Sequence, residues 1–410
     1  MDERELIPHL FRTEYSKITA VLCRLFGFEQ IATAEDIASD TFLSASEIWG
    51  LKGLPEHPVA WLYTVAKNKA KNYLKHQAVF QQKITPQLKH QPTGTDIPEI
   101  DLSPQNIHDS QLQMIFAICH PAITAEAQIG LALRILCGFG INEIADAFLT
   151  NRETIAKRLQ RAKDKLRTAQ VALIFPPPSE IDKRLETVLK TLYLLFNEGY
   201  YSSSHDNTLR KELCFEAMRL AQLLLDNPAT NQPAVNALLA LMSFHASRFD
   251  ARIDNAGEIV LYADQDPNLW DHALIQQGEH FLNMASEGDK LSRYHLEAGI
   301  AWWHTIKADT KEKWECILQL YNHLLQLEYS PMAALNRTYA LSKANGKAEA
   351  IAAAEKLALD HLHLYQLLMG ELYQELSPAK ARAHFEKALQ LATSAADKKI
   401  IEARLRTCVD

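Results

Sequence analysis

The stretch from Pro121 to Gln170 constrains this chain more than any other, because it dictates a helical hairpin with one strongly charged face. An amphipathic helix is expected over Thr124–Leu136, ended by a Gly138-Phe139-Gly140 break. A short helix (Ile141–Phe148), a three-residue turn (Leu149-Thr150-Asn151) and a basic helix (Arg152–Arg167) follow. This is the helix-turn-helix layout, in which the second helix lies in the DNA major groove. Arg152 to Arg167 carries seven Lys or Arg against two acids, Glu153 and Asp164. Ile155, Leu159, Ala162 and Leu166 recur at 3–4-residue spacing and are expected to pack inward. Arg152, Thr154, Lys157, Arg158 and Arg161 are then left outside. A solvated surface helix usually mixes signs, and this one does not, which points to a phosphate backbone as its counterpart.

The overall charge of −7 conceals this, because the charge is unevenly spread. Residues 1–170 hold 19 basic and 19 acidic side chains, so the whole net charge sits in the remaining 240 residues. Within the neutral part a second basic tract runs from His57 to Thr95, with six Lys and no Asp or Glu. Two positive tracts on a neutral region suit nucleic acid, whereas the acidic remainder would be repelled by it. The six cysteines (Cys23, Cys119, Cys137, Cys214, Cys316, Cys408) have no metal-ligand spacing. They are expected to be small buried apolar residues in a reducing cytoplasm. No signal peptide and no membrane span is expected, because no basic-then-apolar start and no apolar run of about 20 residues occurs.

An all-α fold is expected. Alternating patterns are absent, apolar residues recur at helical spacing, and the 14 glycines are too few for many turns. Residues 1–76 form a first helical unit. Residues 77–106, with Pro86, Pro92, Gly94, Pro98 and Pro104, lack periodicity and are expected to be a flexible linker. Residues 107–175 form the helix-turn-helix unit, and Pro176-Pro177-Pro178 separates it from a helical extension over 179–410. Late in that extension, Gly370, Tyr373, Ala381, Phe385 and Ala388 match the small/large alternation of a tetratricopeptide helix pair, with a weaker pair before it around an Asn345-Gly346 turn. The architecture expected for the extension is a stack of helical hairpins.

In the first unit, AEDIASDTFLSASEIW (34–49) is expected to place Ile37, Thr41, Ala45 and Ile48 on one side and Asp36, Asp40, Ser44 and Glu47 on another. The helix HPVAWLYTVAKNKAKNYLKH (57–76) offers Lys67, Asn68, Lys69, Lys71, Asn72 and Lys75 as donors, interleaved with Trp61, Tyr63 and Tyr73. Aromatic rings beside ammonium and amide groups suit single-stranded DNA, where unpaired bases stack and Lys follows the backbone. The competing reading keeps Trp61 and Tyr63 in the core.

The order of these parts resembles a known family. An acidic helix, a PxAWLxxxAxNxAxxxL helix, a loose linker and an EIAxAF…RLxRAKxKLR helix-turn-helix together resemble bacterial extracytoplasmic-function (ECF) sigma factors. LYLLFNEGYYSSS (192–204), RKELCFEAMRLAQLLL (210–225), NLWD (268–271) and SPMAALNRTYAL (330–341) narrow the resemblance to the subgroup with a long tetratricopeptide-like C-terminal extension. The resemblance implies two small helical sigma domains, core RNA polymerase and promoter DNA as partners, and no catalysis. By position, Asp36, Asp40 and Phe42 would dock on the polymerase. Trp61, Lys67, Asn68, Lys69, Lys71, Asn72 and Lys75 would meet the melted minus-ten element, and Arg152, Thr154, Lys157, Arg158 and Arg161 the minus-thirty-five duplex. One departure stands out: relatives are usually richer in Arg over positions 71–76 and carry Asp where this chain has Asn72. Lys makes point-charge contacts rather than forked ones.

The extension has many His and scattered acids but no HExxH, nucleophile elbow or phosphate-binding Gly loop, so no enzyme, cofactor or metal is expected. Asn197 and Glu198, in an otherwise apolar run, need partners if buried, either in the sigma-like part or around a ligand. A regulatory protein or ligand is a further expected partner of the extension. The alternative reading is a one-component helix-turn-helix regulator with a helical sensor tail.

Overall fold

The computed structural model describes residues 3–84, 99–200, 207–252 and 260–408. Among these, all regular structure is helical and no strand occurs. The chain divides into two compact units, residues 1–230 and 231–410.

In the first unit, α1 (Glu3–Phe26), α2 (Ile31–Lys52) and α3 (Pro58–Ile84) pack together. α4 (Pro104–Ile118), α5 (Ala125–Leu131), α6 (Ile141–Ala147) and α7 (Arg152–Thr168) follow, then α8 (Pro178–Tyr200) and α9 (Asn207–Leu225). α1 is shared. It packs on α2 and α3, and also on α4 and on a π-helical turn, Ala132–Leu136, that continues α5. Tyr15, Ile18 and Leu22 are accordingly fully buried. Gly138, at φ +71°, lets the chain turn sharply against the backbone of Phe11 and Arg12, a conformation that strains any residue with a Cβ.

Three sequence expectations change here. α3 runs on to Ile84, and α4 begins at Pro104 behind a Ser103 cap, so both ends of the expected 77–106 linker are helical. Ile100 and Leu102, between them, are buried. Pro86, Pro92, Gly94 and Pro98 lie outside the described residues. The segment from Thr124 to Leu136 is not amphipathic: from Ala127 on, all but Arg134 are buried, because α1, α4 and α8 cover it. The third change concerns the boundary. α8 and α9 belong to the first unit, which ends at Thr230 rather than at the proline triplet. Thr191 Oγ1 donates to Gln128 Oε1 (2.7 Å), Arg184 Nη2 to the Phe116 carbonyl (2.5 Å), and Arg219 Nη2 to the Leu136 carbonyl (2.7 Å). Val188, Leu195 and Phe196 complete the core.

The second unit comprises α10 (Pro233–Ala246), α11 (Phe249–Arg252), α12 (His272–Ala285), α13 (Arg293–Trp303), α14 (Lys311–Leu327), α15 (Pro331–Ala344), α16 (Lys347–Ala354), α17 (His363–Tyr373), α18 (Pro378–Leu391) and α19 (Ala395–Thr407). Short polar residues start several of them: Asp271, Thr310, Ser330 and Ser394 accept backbone N–H bonds at the heads of α12, α14, α15 and α19. α10 is buried almost all round by α12 and α13. Consecutive helices then pair, α14 with α15, α15 with α16 and α17 with α18. Ala381, Phe385 and Ala388 are fully buried in the last pair, with Gly370 giving the Phe385 ring room that a Cβ would take. The Asn345-Gly346 turn joins α15 to α16. Four of the cysteines are buried as expected; Cys316 is exposed and Cys408 half-buried.

Candidate nucleic-acid interface

The α6–turn–α7 hairpin is built by local signals. Gly140 N–H donates to Glu143 Oε2 (2.6 Å) at the head of α6, and Asn151 Oδ1 accepts from Thr154 N–H (2.8 Å) at the head of α7. The turn between them puts Leu149, 64 % exposed, at φ +48°. Ile155, Leu159, Ala162 and Leu166 face the core.

On the outside of α7, Arg152, Thr154, Lys157 and Arg161 are exposed. Arg158 is half-buried, its guanidinium 5.7 Å from the centre of the Phe148 ring. Lys157 pairs with Glu153 (2.6 Å), and Arg167 with Asp164 (3.0 Å). Among the described residues, Arg152, Arg161 and Lys165 meet no carboxylate. Lys163 points elsewhere: with Arg134 Nε (3.4 Å) it holds Glu35, a buried carboxylate on α2. Sequence reasoning passed over Glu35. Its signal was one acid in line, at 3–4-residue spacing, with Ile31, Ala38, Phe42 and Ala45 on the buried side of α2.

On α3, Asn68, Lys71, Asn72 and Lys75 are exposed, while Lys67 and Lys69 are half-buried. The aromatics are occupied by the fold. Tyr63 OH donates to Glu14 Oε2 (2.6 Å), and burial together with that carboxylate pushes the phenol pKa up. Tyr73 OH donates to Gln30 Oε1 (3.3 Å), and Trp61 sits edge-on to Trp49 (5.3 Å). All three rings are half-buried and make contacts inside the fold, which is what the core reading expects of Trp61 and Tyr63.

On α2, Asp36 and Asp40 are exposed, but Phe42 is not. It is 5 % exposed and packs edge-on to Phe11 (5.0 Å), so it cannot touch a partner directly, contrary to the docking expectation. Ile48, expected inside, is 38 % exposed. The exposed apolar residues here are Leu43, Ile48, Leu51 and Leu54. Leu43 and Leu51 continue the line of Asp36, Asp40 and Glu47 at 3–4-residue spacing, a stripe legible in the sequence.

Arg12 ties the parts of this unit together: it pairs with Glu143 (2.7 Å) on α6 and Glu212 (3.2 Å) on α9, above the Phe139 ring (4.1 Å). Among the described residues no group of acids, His and Cys could hold a metal, and no helix is long and apolar enough to cross a membrane.

A family of unknown function, DUF6596, matches residues 184–286, a span from α8 into the second unit. The chain is 33 % identical over 390 residues to a Rhizobium meliloti (strain 1021) protein described as uncharacterized, covering 92 % of this chain and 90 % of that protein. The chain therefore belongs to the family of that protein. No solved structure matches it.

Proposed function

We propose that this chain is a promoter-specificity subunit of bacterial RNA polymerase of the ECF sigma type, cytoplasmic and without catalytic activity of its own. The second unit, on this reading, is a tetratricopeptide-like extension that regulates it. The observation that carries the reading is the face of α7. It is the capped second helix of a helix-turn-helix layout, with Arg152, Thr154, Lys157 and Arg161 exposed and, among the described residues, no carboxylate facing Arg152 or Arg161. The exposed donors of α3 form a second, separate basic surface in the same unit, as a protein that meets DNA at two elements needs. Asp36, Asp40, Leu43, Glu47 and Leu51 supply an acidic and apolar stripe for the polymerase.

Transcription in vitro with core polymerase tests this directly. The chain should confer initiation at a defined promoter, and Arg161→Ala should cost about 1–3 kcal/mol of upstream-element discrimination if it reads a base. A uniform small loss on every sequence, with an unchanged salt dependence, would reduce α7 to a solvated face.

One observation favours the one-component alternative. α1–α3 and α4–α7 are packed on each other through α1 and Glu35, a rigid arrangement that an operator-binding protein would use as it stands. Specific binding to duplex DNA without polymerase, and no transcription with it, would select that reading.

A further inference from the structure

In the second unit, cationic side chains gather around the ring of Tyr262. Lys313 Nζ lies 5.1 Å from its centre, Lys307 Nζ 5.2 Å and the Arg248 guanidinium carbon 5.5 Å. The His304 ring meets it edge-on at 5.0 Å, and Trp270 stacks on it at 6.4 Å.

Two of the three cations have a structural task. Lys307 donates to the carbonyls of Tyr262, Ala263 and Gln265 at 2.9–3.0 Å and so fastens the loop. Lys313, 1 % exposed, donates to Tyr262 OH (2.9 Å) and the Ile306 carbonyl (2.5 Å). Arg248 fastens nothing. It is 7 % exposed, its Nε is buried without a partner, and among the described residues no carboxylate or carbonyl meets its guanidinium. Asp309, whose charge acts on Lys313, is taken up by Trp314 Nε1 and Lys343 (3.0 Å). Asp266 is exposed and caps Asn268 N–H.

A guanidinium in a low-dielectric interior needs an acceptor, and attraction to one ring face does not replace it. Two other neighbours of the Tyr262 ring also lack partners: Trp270 Nε1 is a buried donor without an acceptor, and His304 Nδ1 is buried and unpaired. Burial and the charges of Arg248 and Lys313 also push the His304 pKa down to about 3, so the imidazole stays neutral and adds no repulsion.

We propose that the Tyr262 cluster is a binding site for a small oxyanion, a carboxylate- or phosphate-bearing metabolite, held by the fork of Arg248 with Lys313 and Trp270 Nε1 beside it. Arg presents paired N–H groups that match two oxygens of either anion. The site would make the second unit a sensor of that metabolite. It does not depend on what the first unit reads.

The test uses the full chain at constant ionic strength held with sodium chloride. Inorganic phosphate and malate are titrated separately by calorimetry, and thermal unfolding is followed with each. One of the two should bind saturably and raise the transition by roughly 3 °C or more at saturation; which one does so separates a phosphate from a carboxylate source. Arg248→Met should abolish that response and leave the anion-free transition unchanged or higher, because an uncompensated buried charge is gone. Arg248→Lys, which keeps the charge and loses the fork, should bind at least about tenfold more weakly. Saturable binding of neither anion, wild-type binding by both variants, or a lower anion-free transition in Arg248→Met would overturn the proposal.

Discussion

The two units place their cations in opposite ways. In the first, Arg152, Lys157 and Arg161 stand in solvent on α7, while the inward-turned Lys163 and Arg134 share a carboxylate, Glu35. In the second, three cations surround one tyrosine, and among the described residues no carboxylate meets the buried Arg248. An exposed row of charge costs little to maintain and attracts an extended polyanion. A buried charge without a counterion is costly, and persists only where something else compensates it. Arg and Lys are therefore poor guides to function until their burial and their partners are known.

The largest effect expected concerns where the units part. Truncation after Pro178 removes α8 and α9 from the core of the first unit and leaves Gln128 and the Phe116 carbonyl without Thr191 and Arg184. That piece should fail to unfold cooperatively, whereas residues 1–230 should melt as one domain by circular dichroism. A cooperative melt of the shorter piece at the same temperature would refute the boundary. Under the proposed function, the part the second unit plays is therefore tested by truncation after Thr230.

Next in size is the contrast between paired and exposed cations. Glu35→Ala leaves Lys163 and Arg134 without their shared partner and should cost roughly 2–3 kcal/mol in urea unfolding. Glu153→Ala, which releases the exposed Lys157, should change stability by less than about 0.5 kcal/mol. Equal losses would mean that burial does not distinguish the two pairs.

The second unit should be the more acid-sensitive. His304, held at about 3 against an ordinary 6.5, is neutral in the folded state, and His245 is displaced in the same direction by burial and by Arg248. The unfolded chain takes up protons first, so the stability tied to neutral imidazoles is complete above pH 6.5 and is lost as the pH falls from there toward 3. Melting of the second unit should shift down between about pH 7.5 and 5, and His304→Gln should flatten the slope. An unchanged slope in that variant would assign the sensitivity to other groups.

The smallest effect lies in the turn between α6 and α7. Leu149 at φ +48° carries left-handed strain of roughly 1–2 kcal/mol that glycine avoids, partly offset by the entropy glycine loses on folding. Leu149→Gly should stabilise the first unit by about 0.5 kcal/mol; a clear destabilisation would mean the exposed leucine makes a contact of its own.

What the sequence made legible was local. The Leu149-Thr150-Asn151 turn and the inward row on α7 depend on residues three or four apart, and they lie where the sequence places them. What it hid was packing between distant segments. Ala127–Leu133 reads as one-sided because nothing nearby says that α1, α4 and α8 will cover its other faces. Phe42 looks available beside exposed acids until Phe11, 31 residues earlier, is brought against it. The proline triplet looks like a domain border because proline ends helices, yet the chain beyond it returns to the same core. Arg248 gave no signal, since its meaning lies in what does not surround it.

The shared helix α1 has a consequence for how the chain is made. During synthesis α1 leaves the ribosome long before α4, with about 80 residues between them, a delay of roughly 4–16 s at ordinary elongation rates. α2 and α3 arrive in that interval and cover one flank. The other flank, which later receives α4 and the π-helical turn, waits uncovered, with Ser16 not yet met by Gln111. The nascent chain thus passes through a stage with an exposed apolar seam, the stage at which a chaperone, or a second nascent copy, has its best opportunity to bind.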